Sequence, residues 1–125
     1  MILVVEDNEA TLNLMQTQLT LLGYRVTTAK NGAEAVAIAI AELPDLILMD
    51  IQMPVMNGCQ ATAQIRKEPK TQSTPILAAT AKAMSGDTQK CLDSGCNEYI
   101  AKPFTHRQLQ IAVEKLLCKP SNEPQ

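Results

Sequence analysis

Five short segments rich in β-forming residues alternate along the chain with longer segments of helical periodicity. An uninterrupted apolar run set between two prolines, such as Leu46–Met49, is typical of a strand buried on both faces. The pattern predicts five strands, which are Ile2–Val5, Tyr24–Ala29, Leu46–Met49, Ile76–Ala79 and Glu98–Ala101.

Five helices are predicted between and after these strands. Asn8 and Thr105 are good N-caps, and Gly23 and Gly95 are stop signals. The second helix is apolar over a wide arc, so we expect it to be well buried. The predicted helices cover about residues 9–22, 33–43, 57–67, 85–94 and 106–117. The residues of the last helix expected to face inward are Leu109, Ile111, Ala112, Val113, Leu116 and Leu117.

Strands that alternate with helices define an α/β fold. The expected architecture is a doubly wound, five-stranded parallel sheet with helices on both faces and right-handed crossovers. A chain of 125 residues fits one domain. We expect that domain to span residues 1–118, followed by a flexible tail at 119–125 that holds two prolines and no core residues.

Composition excludes several classes of protein. The chain is 46% hydrophobic but only 2% aromatic, so its core must be aliphatic, and a net charge of −2 offers no basic surface for nucleic acid. No apolar run is long enough to span a bilayer, and the first residues show no signal-peptide pattern. The cysteines show no metal-binding or redox spacing, which indicates free thiols in a cytoplasmic protein; they are Cys59, Cys91, Cys96 and Cys118.

Reactive side chains follow four of the five predicted strands. Glu6 and Asp7 follow the first strand, Asp50 the third, Thr80 the fourth and Lys102 the fifth. The carboxyl ends of parallel strands meet at one edge of a sheet, where open α/β folds bind their ligands. Each residue alone is more often structural, but their joint occurrence favours a functional site.

The chemistry of these residues points to phosphoryl groups. Three close carboxylates would repel one another by roughly 1 to 4 kcal/mol per pair, and a divalent cation with oxygen ligands, which suits Mg²⁺, removes that repulsion. Lys102 and Thr80 can each contact a phosphate oxygen. Aspartate serves as a nucleophile for phosphoryl groups, and such transfer depends mainly on positioning and charge neutralisation.

Five motifs in order and at matching spacing resemble the receiver domain of two-component response regulators. They are the segments at residues 2–8, 48–54, 57–58, 79–81 and 99–104, which read ILVVEDN, LMDIQMP, NG, ATA and YIAKPF. The resemblance covers residue 2 to about 118. It implies a flavodoxin-like topology with strand order 2-1-3-4-5.

The resemblance also implies a role for each residue of the site. Asp50 would be the phosphoacceptor, and Lys102 would contact the phosphoryl group. Asp7, Asp50 and the backbone carbonyl of Gln52 would bind Mg²⁺ directly, and Glu6 would act through a metal-bound water.

Thr80 and Tyr99 match the switch pair of the family. The hydroxyl would move toward the phosphoryl group, and the aromatic ring would turn inward behind it. The surface expected to change is the one formed by the fourth predicted helix, the fifth strand and the last helix. A homodimer through that surface is a further expectation.

The segments at residues 53–58 and 80–92 resemble receivers attached to hybrid histidine kinases. The implied partner is a histidine kinase or a histidine phosphotransfer domain, from which Asp50 would accept phosphate in a phosphorelay. The chain would then be a phosphoprotein switch, not an enzyme, either free in the cytoplasm or tethered to a membrane sensor. This likeness, with a first strand that begins at Ile2, favours a domain cut from a longer protein.

Two other classes of protein also carry functional residues directly after a strand and are alternatives to the receiver domain. A haloacid-dehalogenase-type phosphatase has a second Asp two positions after its nucleophile, where this chain has Gln52. A flavodoxin-like FMN carrier has a Ser/Thr/Gly-rich loop after the first strand, where the acidic run at residues 6–9 would repel the FMN phosphate.

Overall fold

A computed structural model describes residues 1–51, 58–80, 95–102 and 104–117. Its strands are β1 (Ile2–Val5), β2 (Val26–Ala29), β3 (Leu46–Asp50), β4 (Ile76–Thr80) and β5 (Glu98–Ala101). The helices within the described residues are α1 (Glu9–Leu21), α2 (Gly32–Glu42), α3 (Gly58–Lys67) and α4 (His106–Leu117).

The strands form one parallel sheet in the order β2-β1-β3-β4-β5. β1 and β3 lie in the middle, with Ile2 opposite Leu46 and Val5 opposite Met49. This register brings the carboxyl ends of the central strands level with each other. The α/β class and the predicted strand order are confirmed.

Alternation along the strands divides the core into two layers. Leu3 and Val5 of β1 point to the face covered by α2 and α3. Ile2 and Val4 point to the opposite face, which is covered by α1 and α4. All of β1, β3 and β4 is buried, as the uninterrupted apolar runs predicted.

The helix N-termini are fixed by side-chain caps. The Asn8 and Asn31 side chains accept hydrogen bonds from the first turns of α1 and α2, at 3.0 and 2.9 Å. Thr105 and Gln108 exchange reciprocal bonds of 2.8 and 3.0 Å at the start of α4. The predicted caps at Asn8 and Thr105 are therefore confirmed.

The helix C-termini end in two different ways. Gly23 follows α1 with φ +98°, a conformation that costs glycine little. Leu43 ends α2 with φ 51°, although a side chain makes the left-handed conformation costly there. Pro44 follows at once and prevents the helix from continuing.

Two expectations about burial are wrong. Ile111 is 55% exposed, because Leu109, Val113 and Leu116 occupy the inner face of α4 and Ile111 lies well around the helix from them. The helix α2 is also less buried than its composition suggested: Ala35 and Ala39 are covered, whereas its larger side chains Val36, Ile38 and Ile40 are only half-buried.

Several predictions fall outside the described residues. These are the helix expected at 85–94, the tail at 119–125, the thiols of Cys91 and Cys118, and Gln52 with its carbonyl. Among the described cysteines, Cys59 is half-buried and Cys96 buried, and neither forms a disulfide.

Candidate functional site

The sequence-predicted site residues lie at the carboxyl edge of the sheet. Backbone ladders run past the strand ends and fix the residues that follow: the Ile51 N–H donates to Ala79 O at 3.1 Å, and the Lys102 N–H donates to Thr80 O at 2.8 Å. The Glu6 N–H likewise donates to the carbonyl of Ala29 at 3.0 Å. The sheet itself therefore positions the backbone of the site.

Three carboxylates converge at this edge. Glu6 and Asp50 are each only 2% exposed, whereas Asp7 is exposed to solvent. One oxygen from each of the three lies within 4.8 Å of the other two. Buried acids at such spacing need positive charge nearby.

Lys102 supplies that charge. Its Nζ lies 3.0 Å from Glu6 Oε1 and 3.1 Å from Asp50 Oδ1, so one ammonium links the ends of β1, β3 and β5. The side chain of Lys102 is 23% exposed, while the two carboxylates are almost fully covered. Protein therefore encloses the two carboxylates, and solvent reaches these ion pairs only from the side of Lys102.

The pKa values record the balance between burial and pairing. Burial raises the pKa of the Glu6 carboxyl, the bond from Lys102 opposes this, and the charge of Asp50 adds to the rise, so the pKa stays above its ordinary value. Burial lowers the pKa of Lys102, but the bond to Glu6 and the charge of Asp50 outweigh it and raise that pKa. One ammonium only partly compensates the buried negative charge.

A contact of Asn8 was not predicted. Besides capping α1, Asn8 donates its backbone N–H to Glu6 Oε2 at 3.2 Å. The sequence indicates the cap, but it does not show that the chain turns back onto Glu6. This bond fixes the second oxygen of Glu6 while Lys102 holds the first.

The carboxylates have the chemistry and the approximate spacing of a site for a small divalent cation. Two oxygens bound to one Mg²⁺ at about 2.1 Å lie at most about 4.2 Å apart. The three carboxylate oxygens would therefore have to move only slightly closer together, or a water would take the place of one of them. The three residues Glu6, Asp7 and Asp50 therefore fit such a cation.

Thr80 and Tyr99 occupy contrasting positions. Thr80 ends β4 and is fully buried, opposite Ala101 of β5. Tyr99 lies on β5, 38% exposed, in a groove of about 400 Å³ between β5 and α4 that Ile111 also lines. The aromatic ring is outward in this structure.

The fold and this acidic edge define a class of protein. The sequence matches the response regulator receiver domain family over residues 2–114, and the chain belongs to that family. A receiver domain is a phosphoacceptor and not a catalytic enzyme. The match sets aside the phosphatase and FMN-carrier alternatives.

Two relatives, a hybrid kinase and a response regulator, are similar in sequence to this chain over most of its length. It is 46% identical over 117 residues to hybrid signal transduction histidine kinase G of Dictyostelium discoideum, which covers 91% of the chain but 3% of that kinase. It is 38% identical to the polar-differentiation response regulator DivK of Brucella anthropi, covering 83% of the chain and 85% of DivK. The chain thus spans a very small part of the hybrid kinase and most of the response regulator.

A solved structure agrees closely with the fold. The receiver domain of a sensor histidine kinase from Pseudomonas aeruginosa superposes with a TM-score of 0.90 at 41% identity, covering 94% of this chain and 97% of that one. That domain was crystallised with a magnesium ion coordinated in its active-site cleft. In the described part of this chain, no helix is both long and apolar enough to cross a membrane.

Proposed function

We propose that the chain accepts a phosphoryl group from a phosphohistidine onto Asp50 and thereby acts as a signalling switch in a phosphorelay. The observation that carries the proposal is the position of Asp50. It is buried at the end of the central strand β3, with its Oδ1 3.1 Å from Lys102 Nζ and with oxygens of Glu6 and Asp7 beside it. Family membership supports the same reaction.

In the proposed transfer, an Asp50 oxygen forms a bond to phosphorus while the bond from phosphorus to the histidine nitrogen breaks. The imidazole leaves with that electron pair and takes up a proton. Lys102 already lies at the nucleophile, so its ammonium can contact a phosphoryl oxygen and offset the charge that the transfer brings. The Thr80 hydroxyl, at the end of the neighbouring strand, is the proposed donor to a second phosphoryl oxygen.

The proposed cofactor is Mg²⁺, as in the Pseudomonas aeruginosa relative. Asp7, Asp50 and the backbone carbonyl of Gln52 would bind it directly, and Glu6 would act through a water, which agrees with the bonds that already engage both Glu6 oxygens. When bound, the cation neutralises negative charge on the carboxylates and the phosphoryl oxygens. We place the domain boundary at residue 118, one residue beyond the end of α4.

Replacing Asp50 by Asn should abolish phosphorylation, because an amide lacks the nucleophilic oxygen. Incubation of the parent with acetyl phosphate and Mg²⁺ should add the mass of one phosphoryl group, and Asp50→Asn should add none. Asp45→Asn is the matched control, since Asp45 is 70% exposed just before the other end of β3. Equal labelling of Asp50→Asn and the parent would refute the assignment.

Replacing Asp7 by Asn should weaken Mg²⁺ binding by at least about tenfold, because a charged oxygen ligand of a small hard cation is lost. Calorimetric titration of the chain with MgCl₂ measures the change. Glu9→Gln is the control, since Glu9 is an exposed carboxylate two positions further on. Unchanged affinity in Asp7→Asn would place the cation elsewhere.

In the proposed switch, phosphorylation changes the relative populations of two existing conformations of the surface around β5. A phosphoryl group can shift that equilibrium only through contacts that differ between the two states. The Thr80 hydroxyl would supply one such contact, and the Tyr99 ring, now outward beside the groove, would turn inward behind it. The parallel pairing of β4 with β5 supports the coupling, because Thr80 and Tyr99 lie on adjacent strands.

Thr80→Ala should leave Asp50 open to phosphorylation but uncouple it from β5. Backbone amide shifts of residues 95–101, recorded with and without a phosphoryl mimic, measure the coupling. Thr80→Ser keeps the hydroxyl and should behave like the parent. If these residues move as far in Thr80→Ala as in the parent, Thr80 is not the reporter of the phosphoryl group.

The proposed partner is a histidine kinase or a histidine phosphotransfer domain, within a hybrid kinase or separate from it. The similarity to the Dictyostelium discoideum kinase supports the first arrangement and the similarity to DivK the second. We also place the domain in the cytoplasm, whether free or tethered. Cys59 and Cys96 form no disulfide, which suits that reducing compartment.

Self-association through the β5 and α4 surface is the remaining part of the proposal. Ile111 and Tyr99 expose apolar area there, and such area favours association when two copies cover it. Sedimentation velocity over a range of concentrations should show a dimer that the phosphoryl mimic strengthens and Ile111→Glu weakens. Leu14→Glu, at an exposed leucine of α1, is the control. A monomer at all concentrations with the mimic bound would refute it.

A further inference from the structure

Arg66, at the end of α3, donates hydrogen bonds to two separate segments of the chain, at residues 71–74 and 95–97. Its guanidinium donates to the carbonyls of the turn before β4, at 3.3 Å to Thr71, 3.1 Å to Gln72 and 2.6 Å to Thr74. It donates further to the carbonyl of Gly95 at 3.0 Å and to Asn97 Oδ1 at 2.7 Å. The planar fork of arginine makes such multiple contacts possible, and lysine cannot reproduce them.

Asn97 joins this cluster to the sheet. Its Oδ1 accepts a second hydrogen bond, from the Ile76 N–H at 2.8 Å, and its own N–H donates to the Ile76 carbonyl at 2.9 Å. The side chain and backbone of one residue thus hold the starts of β4 and β5 together. Arg66 fixes the orientation of the Asn97 amide that makes this possible.

The strand β5 needs such a restraint. It is four residues long, lies at the edge of the sheet, and has only Ile100 buried. The register of a strand is weakly specified when few side chains fix which face is buried. A slip of two residues would keep the same face but move Lys102 by about 7 Å, out of reach of Asp50.

We propose that Asn97, held by Arg66, is a positioning residue for phosphoryl transfer: it sets the register of β5 that delivers Lys102 to Asp50. This inference rests on the proposed function, in which Lys102 takes part in the transfer. The correct register is visible at the far end of the strand, where the Lys102 N–H meets the Thr80 carbonyl at 2.8 Å.

Asn97→Leu in the full chain should slow phosphoryl incorporation at Asp50 from acetyl phosphate by about tenfold or more. The reason is that a displacement of Lys102 much smaller than that caused by a two-residue slip already has a large effect on rate. Asn97→Asp keeps an acceptor oxygen for both Arg66 and Ile76 and should restore most of the rate. The rate is measured per folded molecule at saturating Mg²⁺, and the amide signal of Lys102 should shift in the Leu variant only.

A double-mutant cycle separates positioning from general destabilisation. If Asn97 acts through Lys102, Asn97→Leu should cost little further rate in a Lys102→Gln background. An equal fractional loss in both backgrounds overturns the inference. Leu19→Ala is the structural control: it removes a fully buried side chain of α1, outside the contacts of Arg66 and Asn97, so it should lower stability but leave the rate per folded molecule unchanged.

Three further outcomes are distinguishable. If Asn97→Leu does not fold, Arg66→Lys, which keeps the charge and loses the fork, takes its place in the same cycle. If Lys102→Gln slows phosphorylation but neither variant does, the positioning inference is wrong and the proposed function stands. If Lys102→Gln itself has no effect, the role proposed for Lys102 is wrong, and the inference that depends on it falls too.

Discussion

The contact of one ammonium with two buried carboxylates is the interaction on which the site depends. Lys102 lies within 3.1 Å of both Glu6 and Asp50, and it comes from a different strand than either. A buried ion pair rarely adds much net stability, because desolvation consumes most of the attraction. The presence of this ion pair at the ends of three strands is therefore better explained by a role in the chemistry of the site than by a contribution to folding stability. The raised pKa of Glu6 agrees, since the lysine compensates only part of the buried charge.

The sheet makes that contact geometrically available. Alternate side chains of β1 and β3 enter the two core layers, so a shift of one residue would turn each apolar set toward the wrong helices. The apolar runs therefore determine where each central strand ends, and with it the heights of Glu6 and Asp50. The same argument fails for β5, where one buried side chain is left to choose the register. Polar contacts at the start of β5 supply what its side chains lack.

Much of this could be predicted from local pattern, and the rest depends on distant parts of the chain. The central strands, the caps and the residues at the sheet edge follow from short-range signals that tertiary structure did not override. The expected burial of Ile111 is wrong because an apolar side chain is buried only if it lies on the one face of α4 that meets the sheet. The contacts of Arg66 were beyond prediction, since its acceptors are mostly backbone carbonyls, whose positions no residue identity reveals. The bond from Asn8 to Glu6 is hidden for the same reason.

The two ends of β5 are held in different ways, and this bears on how a signal could leave the site. The start of β5 is held through Asn97, whose side chain accepts hydrogen bonds from the Ile76 N–H and the Arg66 guanidinium at the opposite end of the strand from the carboxylates. Its other end is held through Lys102, whose contacts are electrostatic and whose partners lie in the site itself. Any change of charge among those partners alters the restraint at one end of the strand and leaves the other intact. Tyr99 lies between these ends on the exposed edge of the sheet, so it is placed where a change at Lys102 reaches the surface while the strand keeps its register.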